Sequence, residues 1–317
     1  MTAGWLARRV GLALFAAFGV CVLVFALLRL VPGDVVTNLI GLEGNVSPEQ
    51  QAEMRRLFGL DQPIWQQFLT WFGALLRGDL GVSLRTERSV FGDLLLRFPV
   101  TLELTVLALL IALLIGVPLG VTAALSRGKL ADVLSSGFVL VGLAAPEFWM
   151  ALLLILLFSL KWPLFPPNGF VPPHESVWGN LRSVFLPSLA LSLGLAAAVT
   201  RIVRASLLDV LGQDYVRTAR AKGLRERTVV YRHAMRNALI PVVTVIGLQA
   251  GSLLGGAVII EQIFGLPGVG RYALEGINLR DYPVVQGAVL LIAVSYVLVN
   301  VVVDVLYGLI DRRVVYG

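Results

Sequence analysis

Long apolar runs alternate with shorter polar segments along this chain. A hydrocarbon layer about 30 Å thick takes about 20 residues of helix to cross. Six runs meet that length: roughly Val10–Leu30, Leu102–Leu125, Val133–Leu160, Val184–Val203, Leu239–Ile260 and Val284–Leu309. The polar segments between them sort by charge. Arg8-Arg9 precede the first run, Arg127 and Lys129 lie in the link Ser126–Asp132, and Arg312-Arg313 follow the last run. Asp214 to Pro241 reads DYVRTARAKGLRERTVVYRHAMRNALIP; with Arg201 and Arg204 just upstream it holds nine of the 26 Lys and Arg residues. Basic loops stay on the cytoplasmic side, and an even number of spans then puts both termini there. Gly33 to Glu103 carries nine acids against six bases and belongs outside.

Details inside the runs refine this outline. Arg8-Arg9 and the apolar run after them resemble the start of a signal peptide. The run is long and no small-x-small cleavage site follows, which predicts an uncleaved anchor. The third run contains Ala145-Pro146-Glu147, where proline frees a carbonyl and kinks the helix. The fifth has Gly247, Gly251 and Gly255, a spacing that admits another helix closely, from this chain or from another subunit. Outside, Ser47-Pro48-Glu49-Gln50 opens a predicted helix ending near Gly59. A second is predicted over Ile64–Leu76, with Trp65, Phe68, Leu69, Phe72, Leu75 and Leu76 near helical spacing. It is too short to span and suits the membrane interface or the outer mouth of a pore. Pro163–Pro173 reads as a proline-rich loop, and Pro267-Gly268 as the centre of a type II turn.

Composition agrees with the pattern. Hydrophobic residues make up 57% and charged residues 15%, against roughly 25% charged in soluble domains, and the mean hydropathy is +0.83. The fold class is an all-α polytopic membrane protein. The net charge of +6 sits beside apolar spans and is not a nucleic-acid signal. Cys21 is the single cysteine and forms no intramolecular disulfide.

No catalytic constellation and no metal-ligand spacing is visible. The two histidines, His174 and His233, are predicted on opposite faces of the membrane. None of Lys129, Lys161 and Lys222 follows a P-loop frame, so any ATP site belongs to a partner. Charges at membrane depth are few: Glu147, Asp304, Glu261 near a span end, and Arg29. Burying charge there is costly, so Glu147 beside Pro146 either lines an aqueous path or is satisfied by the freed backbone. Asp304 suits an ion pair or snorkelling to water.

The basic loop divides into two short helices. Gly212 ends the fourth span, Asp214 caps a helix over Tyr215 to Lys222, and Gly223 stops it in a left-handed conformation. A second helix runs from Glu226 to Asn237, and Pro241 opens the fifth span. Ala219 and Ala221 permit close contact, and the arginines suit acidic partner groups or anionic lipid.

This loop resembles the EAA loop of ABC importer permeases. Gly223 stands as its glycine, Arg217-Thr218-Ala219 as its trio and Ile240-Pro241 as its close. DYVRTARAKG…RHAMRNALIP is similar to the dipeptide/oligopeptide/nickel permease group. So are GLDQPIWQQF, RGDLGVS, and GGAVIIEQIFGLPGVGR with RDYPVVQG. Arg225 departs from it, standing where a helix-capping serine is common. The resemblance implies a type I importer permease with six transmembrane helices and both termini cytoplasmic. Residues 1–32 would be the tail and first helix, 33–101 an extracytoplasmic helical segment, and 102–317 a five-helix core containing coupling loop 212–241.

It further implies ATP-driven, binding-protein-dependent import of dipeptides or oligopeptides across a bacterial or archaeal inner membrane, with nickel, glutathione or oligosaccharide as alternative cargo. The implied partners are a second, similar permease, two ATPase subunits carrying ATP and magnesium, an extracytoplasmic binding protein and membrane lipid. Ala219 and Gly223 would face the ATPase. Asp214, Tyr215, Arg217, Arg220, Lys222, His233, Arg236 and Asn237 would shape or flank that contact, His233 as a contact or a structural cap. Pro146 and Glu147 are the candidates for the translocation path. A self-sufficient secondary transporter would want an internal repeat and buried ion-coupling residues, and neither is clear in this chain.

Overall fold

A computed structural model describes residues 3–30 and 61–310. The helix predicted over Ser47–Gly59, Arg312-Arg313 and the side chains of Arg29 and Asp304 lie outside the described residues. The chain forms α1 (Ala3–Leu30), α2 (Ile64–Leu76), α3 (Val90–Leu125), α4 (Leu130–Ala144) and α5 (Glu147–Ile155), the last running on as a π-helical stretch, Leu156–Lys161. Then come α6 (Val177–Leu211) and α7 (Asp214–Ala221). Three contiguous pieces, Glu226–Thr228, π-helical Val229–Ala234 and Met235–Ala238, make α8. The last three are α9 (Ile240–Phe264), α10 (Val269–Leu279) and α11 (Tyr282–Ile310).

Among the described residues, four helices are long and apolar enough to cross a membrane: α1, α3, α6 and α11. The other two apolar runs are broken. α4 and α5 meet at 108°, and Ile240–Gly247 meets Gly251–Phe264 at 52°. The first break is an elbow rather than the expected kink. Ala145 and Pro146 are both extended, with ψ of 129° and 140°, because the residue before proline is pushed out of the helical region. The helix therefore stops at Ala144 and restarts at Glu147.

α3 and α6 begin earlier than their apolar runs do. Ser89 and Ser176 each accept a hydrogen bond from the backbone N–H three residues on, at 3.4 and 3.0 Å, and these caps start helices of 36 and 35 residues. The boundary drawn between residues 101 and 102 thus falls inside α3.

These two helices form the frame, and small residues set their contact. A Cβ on Gly116 would lie 2.8 Å from the Ala196 carbonyl oxygen, and one on Gly120 2.7 Å from that of Thr200. Between helices in lipid this close approach replaces the hydrophobic drive available in water. Gly142 brings α4 onto Ala197 in the same way. Leu104, Ala108, Ala112, Leu191, Ala196, Val199 and Ile260 fill the core around the frame. The glycine row foreseen in the fifth run packs within the chain at two of its three positions. Gly247 faces Val303 and Gly251 faces the Tyr296 ring, whereas Gly255 has nothing within 4 Å.

The end of the frame away from the basic loop is a knot of polar contacts. Fully buried Glu261 accepts from Thr101 Oγ1 at 2.6 Å and from the Arg271 amide at 2.8 Å. The Val269 amide donates to Thr101 Oγ1 at 2.9 Å. The Glu261 carboxyl group from α9 thereby closes the N-terminus of α10, accepting from an amide that has no partner within that helix. Gly268 leaves it room, since a side chain there would overlap the carboxyl group. The expected type II turn is not formed: Gly268 has φ −92°, and the left-handed residue is Gly265, φ +65°, at the end of α9. The loop before α3 is tied to the α10–α11 junction. Ser83 Oγ donates to buried Asp281 at 2.6 Å, and the Arg85 guanidinium donates to the Leu279 carbonyl at 3.0 Å. RGDLGVS and RDYPVVQG are thus two halves of one contact. α2 forms over the residues foreseen, and Phe68 and Phe72 pack on Phe25 and Phe18 of α1 with ring centroids 5.2 and 5.6 Å apart. Trp65 and Leu69 stay exposed.

Gly120→Ala is expected to destabilise the detergent-solubilised protein by about 1–3 kcal/mol, the usual cost of overpacking. Gly255→Ala is expected to leave its melting temperature unchanged. Equal melting temperatures for the two variants would contradict the frame contact.

Candidate functional site

The basic loop is an ordered helical hairpin continuing from α6. Gly212 ends α6 with ordinary helical angles, Gln213 turns extended with ψ 150°, and α7 starts at Asp214. Asp214 is therefore the first helical residue and not the cap foreseen. Its carboxylate is exposed, 3.6 Å from the Arg217 guanidinium, in a first turn that favours negative charge.

α7 turns one apolar stripe inward. Val216 and Ala219, three residues apart, pack on Val229 of α8 beside Val210 and Leu211 of α6. Ala219 is only 7% exposed. The expectation that it faces outward is corrected: its small side chain lets α7 and α8 meet. Tyr215, Arg217, Thr218, Arg220 and Ala221 remain exposed on α7, as does Lys222 just after it.

Gly223 has φ +76°, the left-handed conformation foreseen, and its amide donates to the Arg220 carbonyl at 2.9 Å. A Cβ there would meet nothing within 4 Å, so backbone angle rather than space calls for glycine. α8 starts at Glu226 although the side chain of Arg225, its N-cap, makes no capping bond. An ion pair secures the turn. Arg220 grips Glu226 with two hydrogen bonds of 2.7 and 3.1 Å, and this contact holds the Glu226 carboxyl below the usual carboxylate range. The far ends are joined by Asn237, whose amide donates to the Tyr215 hydroxyl at 2.8 Å. Buried Ala234 and Ala238 seat α8 against the core. His233 is half-buried without a hydrogen bond among the described residues, and Lys222 and Arg236 are exposed. Arg204 is not part of this surface: it is bound to Asp132 at 2.6 and 2.9 Å.

At the elbow, Pro146 is exposed and Glu147 half-buried. The Glu147 carboxylate turns towards α9, where a Cβ on Gly256 would come 3.0 Å from Oε2. Phe148 and Trp149 are exposed beside it, and with Val141, Ala144, Ala145 and Pro146 they border a hollow of about 430 Å³. Among the described residues no three of His, Cys, Asp and Glu gather to hold a metal ion.

Residues 116–316 match the family described as binding-protein-dependent transport system inner membrane component, and residues 2–105 match the N-terminal region of such components. This chain belongs to that family. The dipeptide transport system permease protein DppB of Escherichia coli K12 is 41% identical over 330 aligned positions, covering 97% of both chains. The di/tripeptide transport system permease protein DppB of Pseudomonas aeruginosa UCBPP-PA14 is 44% identical, covering 98% of both. In fold, the chain resembles one from the MetNI methionine ABC transporter in an inward-facing conformation, with TM-score 0.55 and 18% identity over 69% of this chain and 97% of that one. The family places this permease in the inner membrane as a multi-pass component of a transport system.

The Arg220–Glu226 pair contributes to the hairpin above the ordinary carboxylate range and is lost as pH falls through the lowered Glu226 pKa. Both side chains are more than a third exposed, so solvent screening keeps that contribution small. NMR titration of the Glu226 carboxyl is expected to give a midpoint below that of a free glutamate, rising in Arg220→Gln. The same midpoint in both proteins would contradict the pairing.

Proposed function

We propose that this chain is a transmembrane subunit of an ATP-driven, binding-protein-dependent importer of dipeptides. The observation that carries this reading is identity of 41% and 44% along nearly the whole chain with permeases named for dipeptide and di/tripeptide transport. Six spans with both termini cytoplasmic fit four unbroken helices, two broken pairs and the positive-inside distribution. A second homologous permease completes the pathway in the lipid bilayer, and an extracytoplasmic binding protein delivers cargo to the outer knot. Two cytoplasmic ATPase subunits hold ATP and magnesium.

The hairpin is the coupling element. Its inner stripe fastens it to α6, and its outer face, with Arg217 and Lys222, meets the ATPase. Asp214, Arg220 and Gly223 keep that face in shape, Tyr215 and Asn237 tie its ends, and His233 and Arg236 flank it. Closure of the ATPases pushes the hairpin, and α6 and α9 carry the displacement to the elbow.

Gly223→Pro denies the turn both its positive φ and its amide donor. It is expected to insert normally in the membrane while ATPase copurification and uptake fall by about tenfold or more, as a penalty above about 1.4 kcal/mol implies. Uptake at the wild-type rate in that variant would refute coupling through the hairpin.

A further inference from the structure

Three glutamates sit inside the long apolar helical segments, and they differ in how the chain treats them. Glu261 is fully buried and satisfied by Thr101 and the start of α10. Glu103 has the Asn180 side chain as a partner. Glu147 has no hydrogen bond and no ion pair among the described residues, although it is only half exposed. The backbone freed by Pro146 does not serve it. A carboxylate at membrane depth is costly to leave unpaired, and α9 makes room for this one by presenting Gly256, where a Cβ would lie 3.0 Å from Oε2. Pro146 and Phe148, its neighbours along the chain, border a shallow, open hollow of about 430 Å³ that continues over Trp149.

We propose that the α4–α5 elbow is a transit subsite for the protonated amino terminus of the cargo peptide, with the Glu147 carboxylate as its counter-charge. An α-amino group with a pKa of about 7.7–8.0 is largely cationic at neutral pH. It supplies a positive partner that Glu147 does not have among the described residues. Phe148 and Trp149 give the adjoining apolar wall, and their ring faces favour a cation in passing. This inference rests on the dipeptide-import reading.

The test uses the complete transporter in proteoliposomes, with its second permease, ATPases and binding protein, and radiolabelled dialanine as cargo. Glu147→Gln keeps the shape and removes the charge; uptake is expected to fall roughly ten- to hundredfold, the worth of a charged hydrogen bond, with subunit assembly unchanged. Glu147→Asp keeps the charge and is expected to stay within about threefold of wild type. Wild-type uptake in Glu147→Gln would overturn the subsite, as would the reverse order with Asp impaired and Gln intact. Loss of assembly in step with uptake would also overturn it, because Glu147 would then pair with the second permease. Failure of the wild-type complex to import dialanine would instead refute the dipeptide reading on which the subsite stands.

Discussion

The contact between α3 and α6 at Gly116 and Gly120 is the constraint on which the rest of the subunit depends. Lipid tails are as apolar as leucine, so helices in a bilayer gain little from hiding apolar surface against one another. They gain from closeness, and a side chain at either glycine would press on α6 backbone oxygens at 2.7–2.8 Å. α4 uses Gly142 on the same helix. With both helices fixed, α6 becomes a rod that crosses the membrane and runs into the hairpin with only Gly212 and Gln213 between.

Polar contacts lock each end of that rod assembly. At one end Asp132 and Arg204 join α4 to α6 with bonds of 2.6 and 2.9 Å. At the other, Glu261 and Thr101 bind α9, α3 and α10 together. Thr101 and Glu261 are both buried, so loss of one leaves the other's polar atom unpaired and costs more than the bond contributes. The hairpin's inner stripe of Val216, Ala219 and Val229 is continuous with Val210 and Leu211 of α6. The hairpin is thereby joined to the frame through α6, and the elbow between α4 and α5 is the sharper of the two breaks in the apolar runs.

Much of this was legible in the sequence because it rests on local signals. The apolar runs reappear as the long or broken helices, Ile64–Leu76 forms as foreseen, and Gly223 takes the positive φ its position demanded. Misreadings arose where a local signal had two physical meanings. Proline in an apolar run reads as a kink, yet Ala145 and Pro146 together break the helix. A small residue in a basic helix reads as a contact for a partner, yet Ala219 lies three residues from Val216 and packs inward. Pro267-Gly268 reads as a turn, yet Gly268 is spared a side chain to make room for Glu261. Hydropathy also hides the polar first turns of α3 and α6. Contacts such as Asp132–Arg204, Thr101–Glu261 and Ser83–Asp281 join residues 72, 160 and 198 positions apart, beyond the reach of any periodicity.

The account turns on the outer face of α7 being the surface that receives mechanical work. A photo-reactive side chain at Arg217, in the assembled transporter, tests this most directly. The account predicts an adduct with a cytoplasmic ATPase subunit from that position and none from Arg85 at the outer knot. Labelling of lipid alone from Arg217, or of the ATPase from Arg85, would contradict it.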